Sequence, residues 1–207
     1  MVNQINKLFS GMFSDELDKM GYRDQVVTGM KLNNNSKIYG KVKTILIETL
    51  ETDDENIKTG LGFLGTLDKG DILCVQGSKD FAYFGELMTR LSTRQGIEGV
   101  VIDGLTRDSH YTRDATLPIY TMGYSPKDIK GRGRVKDTNV PIMIGGKKVT
   151  PGDYIFGDSD GIVIIPHQLH QELETRIENV LQNEQNIKTD IRTGKSVNYI
   201  LENYKEF

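Results

Sequence analysis

A helical pattern held between two apolar runs restricts the fold more than any other feature of the chain. Asp71-Ile72-Leu73-Cys74-Val75 and Gly99-Val100-Val101-Ile102-Asp103 read as short strands, and the segment from Gly85 to Gln95 between them puts Leu87, Met88 and Leu91 on one helical face. Gly96 supplies the stop. Strand, helix and strand in that order make a crossover, which pairs the two strands in parallel with a right-handed connection. Residues just past the second strand then return towards the glycine that opens the helix.

The remaining segments build around this unit. Ser14 as N-cap, the acids Asp15 and Glu16 in the first turn and Gly21 as terminator predict a short helix over 15–21. Lys37 to Leu50 is rich in β-branched residues and alternates at Val42, Thr44 and Leu46, a long strand. Glu51 to Asn56 is acidic and expected to be exposed. Gly60-Leu61-Gly62-Phe63-Leu64-Gly65 matches GxGxxG, but it follows that acidic stretch instead of a buried strand and runs into the turn Asp68-Lys69-Gly70-Asp71. Its glycines are expected to be packing or loop positions. Pro118 to Met122 adds a strand.

Between Arg134 and Ile165 short apolar stretches alternate with Gly145-Gly146, Thr150-Pro151-Gly152-Asp153 and Asp158-Ser159-Asp160-Gly161, the mark of antiparallel hairpins. Leu169, Leu173, Ile177, Val180, Leu181 and Ile187 then recur at helical spacing, predicting a long amphipathic helix that ends near Gly194. The tail 196–207 reads as a final short helix against a neighbour.

The chain has 207 residues and a net charge of -3, so one α/β domain is expected and bulk charge gives no argument for nucleic acid. Cys74 is the sole cysteine, which excludes an internal disulfide and a structural zinc cluster and fits a reducing compartment. No run approaches the ~20 apolar residues of a membrane span and no signal-peptide core is visible, so a cytoplasmic protein is expected.

Two places could carry chemistry. Gly85-Glu86-Leu87-Met88 opens a helix, where backbone N–H groups lack intrahelical acceptors and the dipole favours an anion. Its plain reading is a helix start with Glu86 complementing the dipole. Arg107-Asp108 comes twenty-one residues after Glu86 and just past an apolar strand, where α/β proteins place ligands. An arginine there can grip a carboxylate or an enolate, and an aspartate can hold one hard cation with water completing the shell.

The acid, twenty intervening residues and Arg107-Asp108 resemble the signature of class II pyruvate aldolases of the 4-hydroxy-4-methyl-2-oxoglutarate type, which belong with RraA-like proteins. The similarity runs from about residue 14 to 194 and includes Ser14 to Gly21, Lys69-Gly70-Asp71-Ile72-Leu73, Gly99 to Gly104, Asn139-Val140-Pro141-Ile142 with Gly145-Gly146, Pro151-Gly152-Asp153, and Asp158 to Pro166.

The resemblance implies a single layered α-β-β-α sandwich of the phosphohistidine-domain-like, swivelling type, in a homotrimer or homohexamer with the tail from 195 in subunit contacts. It implies a lyase for 2-oxo-acids that contain pyruvate, acting by retro-aldol cleavage, oxaloacetate decarboxylation or both. Gly85 with the Leu87 and Met88 amides would receive the substrate carboxylate, and Asp108 would bind Mg²⁺ or Mn²⁺. Arg107 and the metal would stabilise a pyruvate enolate, with Glu86 as acid/base through water. Asp15 and Glu184 best match acids that approach the metal waters from an adjacent subunit. Family aldolases commonly carry aspartate at the position of Glu86. Regulator-type members lack the aspartate after the arginine, so Asp108 favours an enzyme over a non-catalytic regulator of a ribonuclease or helicase.

Other candidates are weaker. His110, His167 and His170 lack metal-ligand spacing, and the last two read as the start of a surface helix. Cys74 reads as a small buried hydrophobe and Asp158-Ser159-Asp160-Gly161 as a β-turn. Lys127, Lys130, Arg132 and Arg134 form a basic patch that a solvated loop explains, with RNA or an anionic substrate as the sharper alternative. The walls that set substrate choice are expected from the loop 121–130.

Overall fold

The computed structural model describes residues 2–51 and 57–204. In chain order the elements are α1 (Ser10–Lys19), β1 (Val26–Val27), β2 (Lys31–Leu32), β3 (Ile38–Thr49), α2 (Ile57–Leu64), β4 (Ile72–Gln76), β5 (Ala82–Phe84), α3 (Glu86–Gln95), β6 (Gly99–Thr106), α4 (Ser109–Thr112) and β7 (Ile119–Tyr124). The second half adds β8 (Gly133–Thr138), β9 (Ile142–Ile144), β10 (Lys147–Val149), β11 (Tyr154–Asp158), β12 (Gly161–Ile165), α5 (His170–Arg192) and α6 (Val197–Asn203).

β3 joins the two halves. Its first residues pair antiparallel with β11, its middle pairs parallel with β4, and its end pairs antiparallel with β8 past a register shift at Leu46/Ile47. β4 and β6 pair in parallel from Ile72 with Gly99 to Gln76 with Asp103, as the crossover requires, and β7 continues in parallel beyond β6. β11 with β12 and β9 with β10 are the antiparallel hairpins.

Three hydrophobic clusters define the layers. Phe13 and Leu17 of α1 with Leu173 and Ile177 of α5 cover Tyr39, Phe156 and Val163 on one outer face. Ile38, Val42, Ile72, Val101, Ile155 and Ile164 fill the space between the β layers. On the opposite face Leu64 of α2 and Met88 and Leu91 of α3 pack against Leu73, Val75, Val100 and Ile102. Helices lie outside and strands inside, the layered α/β arrangement expected. Cys74 is fully buried among apolar side chains, and burial pushes its thiol pKa well up.

Two element boundaries differ from the sequence reading. α1 starts at Ser10, not Ser14, because the Asp158 carboxylate accepts from Ser10 N at 2.8 Å and Ser10 Oγ at 2.9 Å. That cap comes from the β11–β12 turn, 148 residues away, where no local pattern could reveal it. The Gly60-x-Gly62 stretch is helical within α2; Gly60 is buried and serves packing, as a Cβ there would fall 3.2 Å from Val135 Cγ2 and closer still to a tyrosine hydroxyl. Positions 52–56, most of the acidic stretch, lie outside the described residues. No helix among the described residues is long and apolar enough to cross a membrane.

His170 also departs from its expected surface position. Its ring stacks on Tyr154 at 3.5 Å between centroids and its Nε2 lies 2.7 Å from Tyr39 Oη, which donates to Glu174 Oε1 at 3.1 Å. Burial pushes the His170 pKa down, with Glu174 opposing and His167 adding to the effect. A histidine depressed on folding is protonated first in the unfolded chain. Its share of stability is therefore full above the ordinary value of about 6.5 and falls as pH drops from there towards the folded pKa. Thermal melts across that window should show a falling midpoint that flattens in His170→Phe; an unchanged slope in that variant refutes the assignment.

Candidate active site

β5 pairs in parallel with the last residues of β6, Phe84 opposite Thr106, and Arg107 N donates to Phe84 O at 2.9 Å. The segments at 85–86 and 107–108 therefore leave adjacent carboxyl ends of parallel strands, the usual place for a ligand in such sheets. Gly85 is the N-cap of α3 and the first intrahelical bond runs from Thr89 N to Gly85 O at 2.9 Å. The N–H groups of Glu86, Leu87 and Met88 have no intrahelical acceptor as a consequence. Glu86 N donates to Asp108 Oδ2 at 3.0 Å, and among the described residues nothing accepts from Leu87 N or Met88 N, which leaves both for a ligand.

The residue before the helix must be glycine for reasons of space. A Cβ on Gly85 would lie 2.3 Å from Asp108 Oδ2 and 2.6 Å from Arg107 Cγ. Asp108 itself sits in the left-handed region with φ 55° and ψ 48°. Such a backbone is sparsely populated by residues other than glycine, with aspartate among the more tolerant, and it marks functional sites often. Bonds from Tyr111 N and Thr112 N to Asp108 O, at 2.9 and 3.0 Å, hold it there.

Arg107 is clamped between two carboxylates. Its Nε lies 3.2 Å from Asp108 Oδ1 and its Nη1 2.7 Å from Asp128 Oδ2. Burial works against the guanidinium charge, but the Asp108 hydrogen bond and the Asp128 charge hold its pKa above the usual value. Burial likewise opposes ionisation of Asp108. The Glu86 N–H and Arg107 outweigh it and keep that carboxyl below the ordinary range. Both charges are thus fixed at neutral pH. Asp128 is the site residue that sequence reading missed. It lies on the loop after β7, within the stretch expected to shape the pocket, and Ala82 N donating to Lys127 O at 2.9 Å ties that loop to β5.

Arg107, Asp108 and Asp128 share a cavity of about 290 Å³ with Gly85 and with apolar walls from Leu61, Leu87, Met88 and Ile129. The Glu86 carboxylate is not part of that lining. Its Oε1 accepts from Arg90 Nε at 2.9 Å and its Oε2 lies 3.4 Å from His110 Nε2, while Arg90 rests over the Tyr111 ring at 4.2 Å. The Glu86 group that meets Asp108 at the cavity is its backbone N–H. Asp15 and Glu184 lie together on a separate cavity between α1 and α5, and Glu184 pairs with Lys188 of its own helix. Within one chain they do not belong to the Arg107 cavity.

No group of three or more His, Cys, Asp or Glu side chains among the described residues could enclose a metal. The cavity carboxylates are Asp108 and Asp128; Asp128 Oδ2 is taken up by Arg107, while each Asp108 oxygen accepts one hydrogen bond and keeps further lone-pair capacity. That donor set fits a hard divalent cation that keeps most of its water, as Mg²⁺ does, and not a dehydrated cage. Of the basic patch, Arg134 donates to Glu48 Oε2 at 3.0 Å, so part of its charge is answered within the protein.

A family model described as RraA-like, Aldolase/RraA, matches residues 11–164. The chain belongs to the Aldolase/RraA family. Among its relatives, a protein of Halalkalibacterium halodurans named "Putative 4-hydroxy-4-methyl-2-oxoglutarate aldolase" is 29% identical over 183 residues, covering 87% of this chain and 80% of that protein. Protein DlpA of Legionella pneumophila is 26% identical over 99% of this chain, which spans 34% of that longer relative. Among solved structures, a Pseudomonas syringae protein superposes with a TM-score of 0.84 at 25% identity, covering 99% of this chain and 95% of that one. Streptomyces coelicolor RraAS2, described as an unusual member of the RNase ES inhibitor RraA protein family, gives 0.79 at 26% identity, with 91% and 94% covered.

Proposed function

We propose that this Aldolase/RraA family member is a divalent-metal-dependent lyase that cleaves a C–C bond in a 2-oxo-acid containing pyruvate. The observation that carries the reading is the convergence of two free helix N–H groups, a doubly clamped arginine and an ionised aspartate on one small cavity. The Leu87 and Met88 N–H groups receive the substrate carboxylate, which the helix dipole also favours. Arg107 then faces the 2-oxo oxygen. When the C3–C4 bond breaks, its electron pair passes into the C2–C3 bond and negative charge moves to that oxygen, where the fixed guanidinium stabilises it. The C4 half leaves as a carbonyl compound as its hydroxyl gives up its proton to the base, or as CO₂ from oxaloacetate, and protonation at C3 releases pyruvate. Asp108 would hold Mg²⁺ or Mn²⁺, whose Lewis acidity adds polarisation of the same carbonyl. Glu86, poised by Arg90 and His110, is the proposed acid/base, acting through water.

In the same reading the protein is a cytoplasmic homotrimer or homohexamer, with Asp15 and Glu184 of one copy near the metal waters of the next. A sedimentation mass of three or six chains is the corresponding result. The likeness to RraAS2 favours a second reading, a non-catalytic regulator of RNA-processing machinery. A coupled assay for pyruvate separates the two. Oxaloacetate or 4-hydroxy-4-methyl-2-oxoglutarate should yield pyruvate above the metal-only rate with Mg²⁺ and lose that excess with a chelator. Absence of turnover on both, with capture of a ribonuclease that survives Asp108→Ala, would establish the regulator instead.

A further inference from the structure

Positive charge is scarce in the cavity that holds Arg107. That guanidinium already faces Asp108 Oδ1 at 3.2 Å and Asp128 Oδ2 at 2.7 Å, and no other side chain among the described lining residues is cationic. Arg90, on the same helix as Leu87 and Met88, is taken up elsewhere. Its Nη2 lies 2.8 Å from Glu86 Oε1 and its guanidinium rests over the Tyr111 ring. The walls are mainly apolar, from Leu61, Leu87, Met88 and Ile129. Met88 and Ile129 also pack into the core on that face, whereas Leu61 and Leu87 are 38% and 75% exposed. A single exposed leucine needs no explanation. Two at the mouth of one ligand cavity form apolar surface that a ligand can cover.

We infer that the half released from pyruvate is uncharged and aliphatic, so that the preferred substrate is a 4-hydroxy-2-oxo-acid carrying an alkyl group, and not a second carboxylate, on C4. This rests on the lyase reading above and names its substrate class. In that reading the Leu87 and Met88 N–H groups hold the first carboxylate and Arg107 faces the 2-oxo oxygen. A second carboxylate would lie against leucine, with Asp108 and Asp128 as its charged neighbours. Desolvating it there without a partner is strongly unfavourable. The acids assigned to a neighbouring copy, Asp15 and Glu184, would add negative charge and not a counterion. An alkyl group in the same place gains by covering Leu61 and Leu87, with each buried methylene worth about 10-fold in discrimination. At about 290 Å³ the cavity lies at the small end of ligand sites, which suits a short tail. Oxaloacetate does not probe this wall, because its second carboxylate carbon is C4, the reacting carbon itself.

The test compares matched pairs on the full chain with Mg²⁺. 4-Hydroxy-4-methyl-2-oxohexanoate has an ethyl group where 4-hydroxy-4-methyl-2-oxoglutarate has its second carboxylate. The first cleaves to pyruvate and butan-2-one, the second to two molecules of pyruvate. The hexanoate is expected to show kcat/KM about 30-fold above the glutarate. 2-Oxohexanoate and 2-oxoglutarate lack the C4 hydroxyl and cannot undergo the cleavage, so calorimetry with them reads binding alone. The Kd of 2-oxohexanoate should be about 10-fold the lower. Leu61→Arg sets a cation in the wall at an exposed helix position, where arginine suits a helix about as well as leucine. Both ratios should fall by about 10-fold in that variant.

Equal constants within the pairs, a preference for the dicarboxylates, or ratios unmoved by Leu61→Arg would overturn the inference while leaving the lyase intact. Cleavage of neither substrate, with 2-oxohexanoate still the tighter ligand, would remove the lyase reading and leave the preference for a neutral tail standing. Binding of neither analogue with cleavage of neither substrate removes both.

Discussion

Arg107→Ala is expected to lower kcat/KM for oxaloacetate by about 10³-fold, within the range found when one preorganised donor to a developing oxyanion is removed. The geometry supports the upper end. Arg107 is held from both sides, at 3.2 Å by Asp108 and 2.7 Å by Asp128, so no reorganisation is needed as charge moves. Lysine keeps the charge without the planar fork and cannot span both carboxylates, so Arg107→Lys should recover only part of the loss. Asp128→Asn leaves the guanidinium present but less firmly aimed, and a loss of about 10-fold is expected. The pH profile offers a readout that lost packing would not reproduce. Without Arg107 the forces holding Asp108 ionised weaken, while burial still opposes its charge. The Asp108 carboxyl pKa must rise, and the acid limb of the residual activity should move to higher pH. Wild-type rates in Arg107→Ala, or an unmoved acid limb, would remove the arginine from the mechanism.

The crossover that brings these groups together was legible because each part repeats its period long enough to be seen. Met88 and Leu91 of α3 lie three apart and pack against the core, whereas Leu87, read on the same face, is exposed. β4 and β6 carry no polar side chain through four paired positions, Ile72 with Gly99 to Val75 with Ile102, before Gln76 meets Asp103. The joint itself was not legible. Parallel pairing of β5 with the end of β6 sets Gly85 beside Asp108, yet β5 has three residues, too few to show alternation. Asp128 illustrates a different limit. An aspartate in a loop signals nothing until the fold turns it onto Arg107. Asp158 is similar, since its role as cap for α1 exists only in three dimensions. The family resemblance reached Glu86, Arg107 and Asp108 through their spacing, but spacing does not report that the Glu86 carboxylate turns to Arg90 and His110.

Gly85→Ala provides the sharpest test of the idea that space, and not charge alone, organises the site. The backbone at Gly85 is extended, with φ -150°, so alanine suffers no conformational strain there. The whole effect must come from the methyl group, which would lie 2.3 Å from Asp108 Oδ2 and 2.6 Å from Arg107 Cγ. Those contacts force the two functional side chains apart from the helix end by roughly 1 Å, an error worth about 10²-fold in rate. The stability cost should be modest, about 1–3 kcal/mol as for other overpacked positions. Gly96, at the other end of α3, is the control. Its φ of 78° is left-handed, so Gly96→Ala should cost about 1 kcal/mol of stability and leave kcat intact. One glycine would then limit activity and the other stability, measured on the same helix by pyruvate release and by denaturant midpoint. Equal rates in Gly85→Ala and wild type would mean that Arg107 and Asp108 need not meet the N-terminus of α3 for the reaction to proceed.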